Sequence, residues 1–305
     1  MARKENIVRA FILGPLIEVT VPKPGNVSRA RDFEDLTIYH FLFANTSLIS
    51  PYLKAVERGI LLKRGKIKED EVGIGKLMRE AVSWAKKYQD ANPNFGIIAL
   101  SVPLLIALGE GYDVHSCGRR AMELITNSTP FDSVELYKAI RIANPKGVKR
   151  GVKYDVYDDS SFNELVRDNI NLAKLAELSC ARELIFCEWI NGYSKVYEAL
   201  SLLERELSSL SLEDSVVRVF LYMLAKYRDT LIERKAGVEE AELVRQKANL
   251  VLAGKMSLDE FHKFMREKGD LRNPGSIADI LAVSLSLLLL KDYRLIGTRL
   301  VMSSI

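Results

Sequence analysis

The chain reads as an all-α protein, a single multi-helix domain whose polar chemistry lies at helix ends and in loops. Three observations predict this class. Apolar residues recur at three- and four-residue spacing through most of the 305 residues. Few segments alternate with period two. Four Ser/Thr-x-x-acid sequences mark helix starts, opening at Thr129, Ser211, Ser257 and Ser276 and closing on Asp132, Asp214, Glu260 and Asp279.

Taken in order, the N-terminal apolar stretch predicts a helix that kinks or restarts at Pro15. Leu36 to Glu57 carries Phe41, Leu42, Leu48 and Leu53 on a helical period. Glu71 to Tyr88 carries Ile74, Leu77, Ala81, Trp84 and Tyr88 in the same way. Phe95 to Leu108 is apolar on nearly every face, which predicts a central buried helix. Leu165 to Leu203 predicts one long helix or two consecutive ones. Ser215 to Ile232, Glu239 to Leu252, Leu258 to Glu267 and Ser276 to Leu290 complete the set. The longest loop runs from Asn144 to Ser161. It is basic at Lys146, Lys149, Arg150 and Lys153, then acidic at Asp155, Asp158 and Asp159. One domain is expected over 1–305, and this loop is where it would divide into halves.

Composition sets the class of partners. Hydrophobic residues are 48% and charged residues 28%, the balance of a soluble globular protein. A net charge of +4 is too small to argue for nucleic acid, while anionic small ligands remain compatible with it. The apolar run Ile280 to Leu290 is too short to span a bilayer, so no membrane partner is expected. The first residues do not lead into a secretory core. Cys117, Cys180 and Cys187 form no CxxC pair. Cys180 and Cys187, seven apart and so on one helix face, read as reduced core thiols, which implies a cytoplasmic location. Gln occurs only at 89 and 246 amid abundant Lys, Arg and Glu, a thermophile-like bias. Self-association into a homodimer is compatible with all of this.

Several kinds of chemistry are missing. There is no Walker A loop, no GxGxxG and no nucleophile elbow. His40, His115 and His262 are far apart and read as structural or exposed rather than as metal ligands. Four polar motifs remain. The first is Val21 to Ser28, a stiff, sharply turned loop that displays Lys23 and Asn26; its plain alternative is a helix-ending turn. The second is Asn92-Pro93-Asn94-Phe95-Gly96, which opens the most apolar helix. Asn92 would cap and Pro93 would take the first helical position, leaving free N–H groups and the small Gly96 for an anion. A well-capped buried helix explains it equally. The third is Asp229 to Lys235. Asp229 and Glu233, four apart, would share a helix face and suit Mg2+ held against phosphates, unless the segment is a solvated turn. The fourth is Asn273-Pro274-Gly275-Ser276-Ile277-Ala278-Asp279, where Asp279 is either a helix cap or a half-buried acid. Asp132 carries the same ambiguity.

Taken together and in order, these motifs resemble the triphosphoribosyl-dephospho-CoA synthase family. The likeness rests on Pro22 to Val27, Asn92 to Gly96, Asp229 to Lys235 and Asn273 to Ala282, with Arg182-Glu183 and Glu188 as a further segment. It covers about residues 7 to 290, and Asn92-Pro93-Asn94 departs from the family's usual wording. The resemblance implies ATP as donor and a dephospho-CoA-like acceptor, with Mg2+ on the triphosphate. The ribose C1 of ATP would pass to the 2′-hydroxyl of 3′-dephospho-CoA, with adenine released through an oxocarbenium-like transition state. Lys23, Asn94 and Gly96 would hold phosphates, with Arg234 or Lys235 adding charge. Asp229 and Glu233 would hold the metal. Asp279 or Asp132 would act as base or stabilise the developing cation, and Asn26 and Asn273 would orient ribose or base. Two other readings stay open: ribosyl transfer from ATP to another cofactor precursor, and a non-catalytic helical nucleotide-binding or scaffold protein.

Overall fold

The structure is a computed structural model and describes residues 2–148 and 150–302; Lys149, part of the basic loop stretch, lies outside them. The helices run α1 (Ala2–Thr20), α2 (Ile38–Ser47), α3 (Ile49–Lys63), α4 (Ile74–Ala85), α5 (Phe95–Glu110), α6 (Cys117–Thr126), α7 (Pro130–Ala143), α8 (Ser160–Arg167), α9 (Leu172–Ser179), α10 (Leu184–Ile190), α11 (Ser194–Leu207), α12 (Leu212–Lys226), α13 (Thr230–Ala236), α14 (Val238–Leu252), α15 (Leu258–Arg266) and α16 (Gly275–Leu289). Among the described residues the sole sheet is an antiparallel hairpin of β1 (Tyr293–Ile296) and β2 (Arg299–Met302), with Tyr293 opposite Met302. The all-α class expected from periodicity is the class found.

Two units divide the chain: Met1–Ile12 with Phe43–Ser194, and Leu13–Leu42 with Lys195–Ile305. The first is organised on α5, where every residue from Gly96 to Leu108 is buried. Pro103 lies inside this helix and has no N–H for the carbonyl of Ala99, four residues back. The indole of Trp189 donates to that carbonyl at 3.0 Å, and the hydroxyl of Tyr193 donates to the next one, Leu100, at 3.1 Å. The proline therefore fixes where α10 and its following turn attach. Helix α3 approaches α5 closely because Gly59 is small: a Cβ there would stand 2.0 Å from the carbonyl oxygen of Ile106. The loop 144–161 lies within this unit.

The second unit is organised on α16, buried along nearly its whole length. The C-terminal part of α1 packs on it at Gly14, where a Cβ would meet the Ala282 carbonyl oxygen at 2.7 Å. Val19, Val27 and Phe33, joined by Leu36, Ile38 and Phe41, form a small apolar cluster. This cluster anchors both ends of the loop that carries the first motif.

Several boundaries differ from the sequence expectation, each for a local reason. Helix α1 continues through Pro15 instead of restarting. The Leu165 to Leu203 stretch belongs to four helices. Asn171 starts α9 by accepting from the N–H of Lys174, and Gly192 and Tyr193 at positive φ separate α10 from α11. Helix α9 ends at Ser179, so Cys180 and Cys187 do not share a helix face. The turn into α10 brings their Cα atoms to 4.6 Å, and they are disulfide-bonded rather than free core thiols. The helix expected over Ser215 to Ile232 stops at Lys226 and a new one begins at Thr230, because Asp229 caps it. The Thr129, Ser211 and Ser257 starts are caps as expected. Ser276 is not, since α16 already begins at Gly275.

Gly59→Ala should lower unfolding stability by about 3 kcal/mol through overpacking against α5. Gly254→Ala, where a Cβ meets nothing within 4 Å at φ +68, should lower it by only about 1 kcal/mol. Urea denaturation of both variants reads the difference, and equal losses would refute the close-packing argument.

Candidate active site

Three of the four motifs meet within the second unit. In the first, Gly25 turns the chain at φ +83, and a Cβ there would stand 2.9 Å from the Arg272 carbonyl oxygen and 3.0 Å from Pro274 Cδ. This loop therefore presses directly on the fourth motif. The side chains then pair, the Asn26 amide donating to Asn273 Oδ1 at 2.9 Å with both residues buried. Lys23 turns inward. Its ammonium donates to the carbonyls of Glu18 and of Val21 (3.1 Å) and lies 2.9 Å from Glu18 Oε1. Those contacts occupy its three N–H donors.

The third motif joins through Asp229, which is wholly buried. Its Oδ1 accepts the N–H groups of Leu231 (2.8 Å) and Ile232 (3.2 Å) as the N-cap of α13. Its Oδ2 accepts the N–H of Ile277 at 2.8 Å, in the first turn of α16. One carboxylate thus ties two helix starts together, and the Thr230 and Ser276 hydroxyls lie 3.0 Å apart beside it. Gly275 leaves room for Leu231 across this junction.

The electrostatics follow from burial. Desolvation pushes the Asp229 carboxyl up to about 6, although three amides and Arg234 favour its charged form. Glu18 is raised by burial, with Lys23 opposing. Asp279, one turn into α16, is held well above the usual carboxylate range by burial and then by Glu18 and Asp229, with Arg234 opposing. Of these three acids, Glu18 and Asp229 are buried and Asp279 keeps partial solvent access. Its position inside the helix also removes the alternative of a capping carboxylate.

The metal assignment does not fit this geometry. Asp229 is a cap and not a member of a helix face shared with Glu233; both its oxygens are turned to amides, and Glu233 lies 3.7 Å from Arg228. Among the described residues no group of three or more His, Cys, Asp or Glu is placed to hold a metal ion. Lys235 is paired with Asp270 at 2.9 Å.

The remaining predicted residues belong to the first unit. Helix α5 starts at Phe95, so Pro93 precedes the helix, and Asn94, not Asn92, takes the cap position. Its side chain does not cap; the amide donates to Asn45 Oδ1 at 2.9 Å, and Gly96 is buried in the first turn. Asp132 closes a capping box with Thr129, and its Oδ1 accepts the Gly75 N–H at 2.9 Å. Arg182, Glu183 and the buried Glu188 also lie in this unit. Glu18 escaped the sequence reading altogether: one helical turn before the Lys23 loop, it carried no motif of its own.

A family model described as ATP:dephospho-CoA triphosphoribosyl transferase matches residues 4–297. Among solved structures, a protein from Archaeoglobus fulgidus assigned as triphosphoribosyl-dephospho-CoA synthase is similar with a TM-score of 0.64 at 24% identity, over 85% of this chain and 100% of that one. At that identity the likeness speaks for the fold. No curated protein matches the chain.

Raised carboxyls fix the sign of the pH response. A group whose native pKa exceeds its unfolded one binds more protons when folded, so its charged form weakens the native state at high pH and the loss is relieved as pH falls. For Asp229, between its native value of about 6 and the ordinary 3.8, the difference is worth about 3 kcal/mol. Glu18 and Asp279 act in the same direction. Asp168 and Glu242, held near 2 by Arg167 and Arg245, oppose them in stronger acid, and His262, depressed by burial, opposes them more weakly below its ordinary 6.5. Stability from urea titrations should therefore rise from pH 8 to a maximum between about pH 4 and 5. A steady fall over that interval would refute the raised carboxyls.

Proposed function

The chain belongs to the ATP:dephospho-CoA triphosphoribosyl transferase family, enzymes that move the triphosphoribosyl group of ATP to dephospho-CoA, and we propose that Asp279 performs the proton transfers of this reaction. The bond from ribose C1 to adenine breaks, and a bond from C1 to the 2′-hydroxyl oxygen of 3′-dephospho-CoA forms. The triphosphate survives. Adenine leaves with the electrons of the broken bond and needs a proton; the acceptor hydroxyl must lose one. Asp279, protonated at rest, gives its proton to adenine. The carboxylate so formed stabilises the electron-poor ribosyl carbon and then takes the proton of the acceptor hydroxyl, which restores the acid.

The observation that carries this reading is the placement of Asp279 beside two buried carboxyls, Glu18 and Asp229, while it alone of the three stays partly accessible. Burial, and after it the neighbouring acids, raise its carboxyl well above the usual range and so favour the protonated form that a general acid needs. Arg234 limits that rise, so that the proton remains transferable. The Asn26–Asn273 amide pair is suited to orient ribose or base. Mg2+ would enter with the triphosphate, whose oxygens and water supply most of the shell this ion prefers, and no step here relies on it.

The test incubates purified protein with ATP and Mg2+, with and without 3′-dephospho-CoA, and follows free adenine by chromatography. Adenine is expected only with the acceptor. Asp279→Asn should lower kcat by about 10²- to 10⁴-fold without lowering thermal stability. Full activity in that variant would remove Asp279 from the chemistry. Adenine formed only with a different cofactor precursor would keep the ribosyl transfer and change the acceptor.

A further inference from the structure

Beside the motif loop, the second unit encloses a pocket of about 420 Å³ whose charge the proton chemistry does not use. Its wall is one face of α15, where His262, Lys263 and Arg266 follow at helical spacing, and Arg31 stands opposite. Asp259 is the single acid among the lining residues. Backbone bonds place Arg31 and side-chain contacts place Arg266, while the Lys263 side chain is exposed. Arg31 sits on a tight bridge with Ser28, closed by backbone hydrogen bonds of 2.8 and 3.1 Å. Arg266 lies over the Phe33 ring at 4.2 Å and donates to the carbonyls of Asn26 and Asp32.

These cations repel one another. Arg266 is depressed below the usual guanidinium range by burial and by Arg31. His262 is depressed by burial, by Arg31 and by Arg266, with Asp259 opposing. Among the described residues, Arg31 and Lys263 have no carboxylate ion-pair partner. A solvated surface would let such side chains spread apart. Here a concave wall and a stacked guanidinium gather them, an arrangement that favours an anion with charge spread over several oxygens.

We propose that this pocket receives the phosphate chain of a nucleotide substrate, with the exposed Arg31 and Lys263 as its clamps and the half-buried His262 and Arg266 as its wall. The inference rests on the family reading only for the source of the phosphates, since both substrates of that reaction carry a phosphate chain.

Inorganic triphosphate is the first probe, titrated calorimetrically into the full chain at low ionic strength. The wild type should bind it, and Arg31→Ala/Lys263→Ala should weaken binding by at least about tenfold. Lys66→Ala/Lys255→Ala, which removes two charges elsewhere, should leave it within about twofold. Absence of binding in the wild type, or equal loss in both double variants, would overturn the proposal. In the adenine assay the pocket variant should raise the KM of one substrate by a similar factor. ATP as the affected substrate would identify the triphosphate, and dephospho-CoA the diphosphate; no change in either KM would overturn the nucleotide assignment. Lack of adenine release with triphosphate binding intact would count against the reaction and leave the pocket standing.

Discussion

The second unit depends on one buried carboxylate. Asp229 accepts three backbone N–H groups, two from the start of α13 and one from the start of α16. No other side chain type satisfies this junction as well: the three donors need acceptor oxygens, and only an ionised carboxylate offers two without a competing N–H. Burial acts against the charge and raises the carboxyl to about 6, so the junction is held by amides that partly offset desolvation. Because Ile277 is two residues from Gly275 and two from Asp279, this bond also fixes the register of the fourth motif. Gly25 and Asn26 then pack on residues 272–274. The motifs are far apart in the chain and adjacent in space because short, stiff turns leave each of them one way to fit.

This junction also sets the electrostatics of Asp279. A carboxyl in the second turn of an exposed helix would be ionised and unremarkable. Here burial comes first in disfavouring its charge, and Glu18 from α1 and Asp229 from the junction add to it. Lys23 moderates Glu18 rather than reaching outward, which explains why so long a cationic side chain is wholly buried. Lys23 thus lowers the Glu18 carboxyl that burial raises, and Glu18 in turn raises Asp279.

Much of this was legible in the sequence. The class, the buried α5 and α16, and the caps at Thr129, Ser211 and Ser257 followed from periodicity and local hydrogen-bond chemistry. What failed was local in appearance and tertiary in cause. Asp229 and Glu233 have helix spacing, yet Asp229 caps α13 through Leu231 and Ile232, and its other oxygen is taken by Ile277, 48 residues away. Cys180 and Cys187 have helix spacing too, but a turn stands between them. Glu18 and the His262–Arg266 face bear no motif; a buried acid or a concave cationic wall is a property of neighbours, and single-chain spacing does not encode neighbours. Lys23 and Asn26 were visible as special residues, while their direction, inward to Glu18 and across to Asn273, was not.

The two functional features share one loop, and their charges are opposite. Glu18, Asp229 and Asp279 form an acidic group with raised proton affinity. Arg31, His262, Lys263 and Arg266, with loop residues Pro22, Lys23 and Asn26, line a cationic pocket. Pro22 and Pro24 stiffen the loop, Gly25 allows its positive-φ turn, the Val19–Val27–Phe33 cluster anchors it, and Arg266 fastens it to α15 through Phe33 and the carbonyl of Asn26. In the reaction proposed above, the stiff loop would keep proton transfer and phosphate anchoring apart. Ribosyl transfer with an intact triphosphate asks for that separation: the group that must hold phosphates has to stay clear of the acid that must keep its proton.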